Sequence, residues 1–260
     1  MAEIPDSHPR KASLMARQKM VDASSKGLLA DSAMIAHGRG EAYDYLIGER
    51  TIESASLAIS EAAARLVEAR NPVISVNGNT VVLAGGDLIR LAAIVNCPIE
   101  VNLYYRTEDR VSGLLSLLDE QRESVASGSP PMGWQGSWRD RVLSVPLLGS
   151  DPDGSISGLE GPRSMCCSNG IGRADVVLVP LEDGDRCEAL ISLGKQVLVI
   201  DLNPLSRTAR NATVTIVDEV SRAAAELVKS VLNPGVSTEW NNEKSLKEAL
   251  SVISNASSLI

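Results

Sequence analysis

The chain has 260 residues, 44% of them apolar, and a formal net charge of −8. That length and apolar content suffice for a sizeable α/β core, while the acidic balance argues against general nucleic-acid binding, which rests on neutralising phosphates. Unbroken apolar runs such as Val176–Leu181 are too short to cross a bilayer, no signal-like segment opens the chain, and neither a membrane nor secretion is expected. The four cysteines, Cys97, Cys166, Cys167 and Cys187, fit no metal spacing and read as reduced thiols in a cytosol.

From the amino terminus, Arg10, Lys11, Arg17, Lys19, Lys26 and Arg39 stand among few acids. They suit either a small anionic ligand or an ordinary solvated helical face. A helix is predicted over Ile52–Glu68, built from Ala, Leu and Glu. Strands are predicted at Val73–Val76, Ile99–Tyr105, Ala174–Pro180, Gln196–Asp201 and Thr213–Val217, with a weaker one at Val142–Leu148. Helices at Asp87–Val95, Glu108–Glu123, Arg186–Leu193 and Val220–Leu232 alternate with them. Continuous Val/Ile/Leu strands between amphipathic helices imply a Rossmann-like, mostly parallel sheet with helices on both faces, preceded by an N-terminal helical region at about 1–70. Ser124–Arg139, rich in Gly, Ser and Pro around Trp134 and Trp138, reads as a flexible surface insertion or as a lid. One α/β domain is expected over 1–232, followed by a linker and helix at 233–260.

Local patterns suggest where chemistry lies. In Ile35–Ala42, Gly38 and Gly40 flank Arg39, and a helix starting at Glu41 would put free N–H groups beside that arginine, an environment suited to phosphate; a tight turn is the plain alternative. The strand Val73–Val76 runs into Asn77-Gly78-Asn79, whose amides could meet a polar substrate or merely form a turn. Arg106 ends the next predicted strand, placed to grip a carboxylate or phosphate, with Thr107 as a cap for the following helix. Ala174–Arg186 and Gln196–Arg210 form one βαβ unit with polar loops. Asp183 and Asp185 could bind Mg²⁺ or cap a helix, and Asp201 stands where an acid meets ribose hydroxyls. No Gly-x-Gly-x-x-Gly or Walker pattern occurs, which disfavours an oxidoreductase or P-loop enzyme.

Taken together, IPDSHPR at 4–10, IAHGRGEAYDYLIGERT at 35–51, NPVISVNGN at 71–79, VNLYYRTEDR at 101–110, ADVVLVPLEDGDR at 174–186 and IDLNPLSRTAR at 200–210 resemble the archaeal phosphopantothenate synthetases. The matches keep their order from the amino terminus to about Asp218. The resemblance implies a cytoplasmic homodimer that uses ATP with Mg²⁺ to join 4-phosphopantoate to β-alanine through an acyl-adenylate, in coenzyme A biosynthesis. By the same carry-over, Arg17 and Arg39 contact ATP phosphates, while Asp183, Gly184, Asp185, Arg186, Asp201, Leu202 and Asn203 hold the nucleotide. Asn77, Asn79 and Arg106 are candidates for the phosphopantoate side, and His37 joins Arg39 as a catalytic candidate; the metal ligands stay open. The Gly/Ser/Trp-rich insertion and the C-terminal tail depart from the family pattern, and Tyr43 and Tyr104 stand where Phe is expected. A competing reading is a non-catalytic nucleotide- or coenzyme-A-sensing module on the same fold.

Overall fold

The computed structural model describes residues 4–259. Three helices open it, α1 (Lys11–Ser25), α2 (Asp31–Leu46) and α3 (Glu53–Glu68), followed by β1 (Pro72–Val76), α4 (Gly78–Val95), β2 (Ile99–Val101), α5 (Glu108–Ser127), α6 (Trp138–Leu143) and β3 (Leu147–Leu148). A short antiparallel pair, β4 (Gly154–Ser155) and β5 (Met165–Cys166), precedes β6 (Val176–Pro180), α7 (Gly184–Ser192), β7 (Gln196–Ile200), α8 (Arg207–Asn211), β8 (Val214–Ile216), α9 (Val220–Ser230) and α10 (Asn242–Ser254). The main sheet has six parallel strands in the order β3-β2-β1-β6-β7-β8. The chain starts in the middle, winds outward through β2 and β3, then returns to β6 and winds outward the other way.

The central strands are buried on both faces, and their side chains divide by the two-residue period. Leu178, Leu198 and Ile200 point into the larger apolar cluster, with α3, α4, α5 and α9. Val177, Val179, Val197 and Val199 point into a smaller one, with Cys187 and Leu190 of α7 and with Ile156 and Ile171. Helices therefore cover one face, whereas on the other α7 shares the work with the irregular segment 149–173. Leu88, Ile89 and Leu91 of α4 are wholly buried, each stabilising by about 1.5–3 kcal/mol relative to exposure. By length and composition α4 could span a membrane, although it is a mostly buried core helix.

Several boundaries differ from the sequence expectations for identifiable reasons. α4 starts nine residues earlier than Asp87, because Asn77 is its N-cap, accepting from the Thr80 N–H at 3.1 Å, rather than the corner of a turn. β2 ends at Val101, short of Tyr105. The weak strand Val142–Leu148 resolves into the end of α6 and the two residues of β3. Ser137 caps α6, and Trp138 is buried, donating its indole N–H to the Val125 carbonyl at 3.2 Å; Trp134 packs edge-on against it. The two tryptophans thus anchor the insertion instead of standing exposed on it.

A buried carboxylate organises the irregular segment. Glu100 of β2 accepts from the backbone N–H of Cys167 at 3.0 Å and of Ile171 at 2.8 Å. Burial pushes its pKa up even though these bonds pull it down. Gly170 lies so close to this carboxylate that a Cβ would collide with it. This clamp fixes the loop that delivers Arg163 to the open side of the sheet.

Candidate functional site

In an open parallel sheet, ligands gather beyond the carboxyl ends of the strands where the winding reverses. Here that gap lies between β1 and β6, and a cavity of about 1180 Å³ opens there. Ser75–Asn79 line it from β1, Val179–Asp183 from β6, Asp201–Asn203 from β7 and Glu219–Arg222 from α9. The facing wall is α2, which contributes Ala36, His37, Arg39, Gly40, Tyr43 and Asp44. Leu181, at the tip of β6, has φ +57°, a left-handed conformation uncommon for leucine. Its N–H donates to the Ile200 carbonyl at 3.1 Å, and its carbonyl accepts from the Asn77 side chain at 2.9 Å, which holds it there.

Most charges around the cavity are already matched. Arg163 pairs with Glu182 at 2.7 Å and with Asp183, and its guanidinium lies 5.0 Å from the Tyr104 ring centre. Arg10 pairs with Glu49 at 3.1 Å. Arg222 grips Asp44 and Asp218, at 2.6 and 2.5 Å, and Thr51 donates to Asp218 at 2.6 Å. Burial lowers the Arg222 pKa, but the bonds to Asp44 and Asp218 outweigh it and raise it overall. Among the lining arginines, Arg39 and Arg110 have no acidic partner among the described residues. Arg39 is nonetheless near enough to Asp201 to draw its pKa down; burial is the larger influence and leaves that carboxyl raised, against the bonds from Ser206 and Asn203.

The candidates from sequence divide into several groups. His37, Arg39, Asn77, Asn79, Asp183, Asp185, Asp201, Leu202 and Asn203 all line the cavity. Gly38 and Gly40 lie inside α2, so the expected loop and helix start at Glu41 are corrected: the helix begins ten residues earlier, at Asp31, and its free N–H groups are elsewhere. The His37 Nε2 is buried without a hydrogen-bond partner. One turn on, Glu41 accepts from Ser13 at 2.9 Å and Arg17 at 2.7 Å; burial alone would raise its pKa, yet these bonds, with the nearby His37, bring it down.

Arg17 lies outside the lining, occupied with Glu41. Arg186 is wholly buried, tied to Glu182 and to the Ser75 hydroxyl at 3.1 Å, so its side chain is a strut beneath the site rather than a wall of it. Gly184 admits the Arg207 side chain, into which a Cβ would run. Arg106 turns away to the carbonyls of Gly149 and Ser150. The amides of Asn77 and Asn79 serve the scaffold: Asn77 caps α4, and Asn79 donates to the Ala33 carbonyl at 3.0 Å, tying α4 to α2. Asp183 caps α7 through the Arg186 N–H at 3.1 Å, and Asp185 pairs with Arg207. Arg10, noted in the sequence among the N-terminal cations, does line the cavity, whereas Arg110, Arg163, Glu182 and Arg222 were not singled out there.

The profile of the phosphopantothenate/pantothenate synthetase family matches residues 54–135 and 139–259. The chain belongs to that family. Among its phosphopantothenate/pantothenate synthetase relatives, a protein of Thermococcus onnurineus is 45% identical over 259 residues, spanning 96% of this chain and 92% of its own. One of Thermococcus kodakarensis is 47% identical, spanning 88% of this chain and 80% of its own, and one of Methanosarcina mazei is 44% identical, spanning 97% and 95%. All three are named 4-phosphopantoate–β-alanine ligases. The break in the family match at 136–138 falls within the tryptophan-bearing insertion, away from the cavity walls.

Proposed function

We propose that this chain condenses 4-phosphopantoate with β-alanine, using ATP and releasing AMP and pyrophosphate, as a step of coenzyme A biosynthesis. The observation that carries the reading is the cavity at the reversal of strand order, where Arg39 and Arg110 stand without acidic partners among the described residues, in a chain whose relatives bear this name. Two like unit charges about 4 Å apart, one on the carboxylate and one on the α-phosphate, repel by roughly 4 kcal/mol at an effective dielectric near 20. Arg39, with no acid of its own, offsets that repulsion and stabilises charge growing on the α-phosphate as the carboxylate attacks. Asp201 accepts the ribose hydroxyls at the end of β7, with Leu202 and Asn203 beside it. The N–H groups opening α7 face the phosphates, a favourable environment for anions.

Mg²⁺ is bound through one or two carboxylates, its waters and the nucleotide phosphates rather than in an all-protein cage. Asp183 and Asp185 both line the cavity and supply carboxylate oxygens suited to that mode. Asp183 and Asp185 would hold the ion, which neutralises phosphate charge when bound. The amine of β-alanine then attacks the acyl-adenylate and AMP leaves. His37, whose Nε2 lacks a partner, takes the ammonium proton beforehand. Four buried free cysteines suit a reducing cytosol, and a homodimer is the expected assembly.

Pyrophosphate should form from ATP only when 4-phosphopantoate is supplied, with 4′-phosphopantothenate appearing once β-alanine is added. Formation of ADP and phosphate would overturn the adenylate route. Nucleotide binding in a calorimeter with no turnover would favour the sensing module instead. Light scattering of the eluted protein tests the dimer.

A further inference from the structure

The cavity holds two unmatched guanidinium groups on opposite flanks of the β1/β6 gap. Arg39 lies on the β7 side, close enough to Asp201 to influence its ionisation. Arg110 lies on the β2 side, in the first turn of α5, beside Asn102, Leu103, Tyr104 and Tyr105. The β6–α7–β7 unit, with Asp201 closing its second strand, is the nucleotide half of a doubly wound fold. The β1–α4–β2 half is then left for the acid substrate, and Arg110 is the one lining arginine there without an acidic partner.

The contacts of Arg110 leave one edge of its fork without an acceptor among the described residues. Its Nη1 donates to the Tyr105 carbonyl, which fixes the guanidinium plane. Its Nε is buried with no hydrogen-bond partner, and Nη2 makes no hydrogen bond among the described residues. A desolvated donor without an acceptor is unfavourable, and the Nε/Nη2 edge is a geometry that takes two phosphate oxygens side by side. The Tyr104 and Tyr105 rings, 4.7 Å apart, narrow the space beside it. The acids next to Arg110 in the chain, Glu108 and Asp109, are exposed and form no ion pair with it.

We propose that Arg110 binds the phosphate of the acid substrate and so distinguishes 4-phosphopantoate from unphosphorylated pantoate. This rests on the ligase reading above and names the group that sets its substrate. The unphosphorylated acid presents a neutral hydroxyl to the same fork and forgoes both charge-assisted bonds.

Steady-state kinetics of Arg110→Ala and Arg110→Lys, on wild-type background and with each acid, test this. For Arg110→Ala the KM for 4-phosphopantoate should rise roughly thirty- to a few hundred-fold, while the KM for ATP and the rate with pantoate stay within about twofold. Arg110→Lys, which keeps the charge but loses the fork, should fall between. An unchanged KM for 4-phosphopantoate, or an equal rise for ATP or in the loss with pantoate, would overturn the assignment. Melting temperature separates a misfolded Arg110→Ala from a specific defect, and the lysine variant then carries the test. A wild-type protein that makes no product from 4-phosphopantoate would instead defeat the ligase reading.

Discussion

Leu178 and Leu198, in the sheet whose strand ends floor the cavity, are wholly buried among apolar neighbours, whereas the facing helix α2 buries only Asp44. The floor is held by close-packed side chains, which are hard to deform. The facing wall packs only partly buried side chains, among them Ala33, Met34 and Tyr43, against the core and is tied down by Arg222, Asp44, Asp218 and Asn79, with Ile35 and Leu46 left exposed. Under the proposed function, nucleotide and acid meet between a surface fixed by packing and one tied down by ion pairs. Such a seat can shift when a charged ligand arrives, without cost to the core.

The largest effect should come from the floor. Leu178→Ala removes a fully buried side chain and should lower the unfolding free energy by about 2–5 kcal/mol. Urea titration followed by circular dichroism measures this, and a loss below about 1 kcal/mol would show that the floor tolerates voids. Next in size, Arg39→Ala on the facing wall should cut kcat/KM by roughly ten- to a thousand-fold with little change in stability. Normal kinetics would remove Arg39 from the reaction.

Asp44→Ala tests the ionic seat. Its loss strips Arg222 of a partner and should speed amide hydrogen exchange in α2 about tenfold, while β6 and β7 keep their protection. In the wild-type protein, raising salt from about 0.1 to 1 M shortens the screening length from roughly 10 to 3 Å and should move α2 in the same direction. Equal changes in α2 and in the strands would erase the contrast between the two walls.

The smallest effect concerns Asp201, whose carboxyl burial holds above its ordinary pKa. The folded state then binds the proton more tightly than the unfolded chain. The stability this group contributes is full in acid and is lost as pH rises through the folded pKa. Asp201→Asn cannot ionise, so its stability relative to wild type should improve between pH 4 and pH 7. A stability difference that moves in favour of the wild type over that range in urea titrations would contradict the assigned direction.

Much of the fold was legible because β6 and β7 are unbroken Val/Leu/Ile runs, a pattern made by strands buried on both faces. The helix boundaries were less so. Gly38 and Gly40 suggest a loop in the sequence, but neither carries a positive φ, a Cβ added at Gly38 would meet open space and one at Gly40 only Leu202, so α2 runs through both. Asn77-Gly78-Asn79 has the composition of a turn and the position of a helix cap, and only the packing of α4 decides between them. Polar residues at strand ends stood out in the sequence; which of them touch a ligand space did not. Arg186 and Arg106 stand out in the sequence as readily as Arg39, yet Glu182 and Ser75 bury one and the Gly149 carbonyl diverts the other. Such partners lie up to 111 residues away in the chain, beyond the reach of any local pattern.

The reversal of strand order between β1 and β6 has an evolutionary corollary. Each half of the sheet sends its own loops to a common seam; with the nucleotide after β6 and β7 as proposed, the acyl donor can be exchanged by altering the segments after β1 and β2 alone. The half proposed to supply the energy need not change. A lineage, or an engineer, can thereby inherit an intact activation module and vary what it activates.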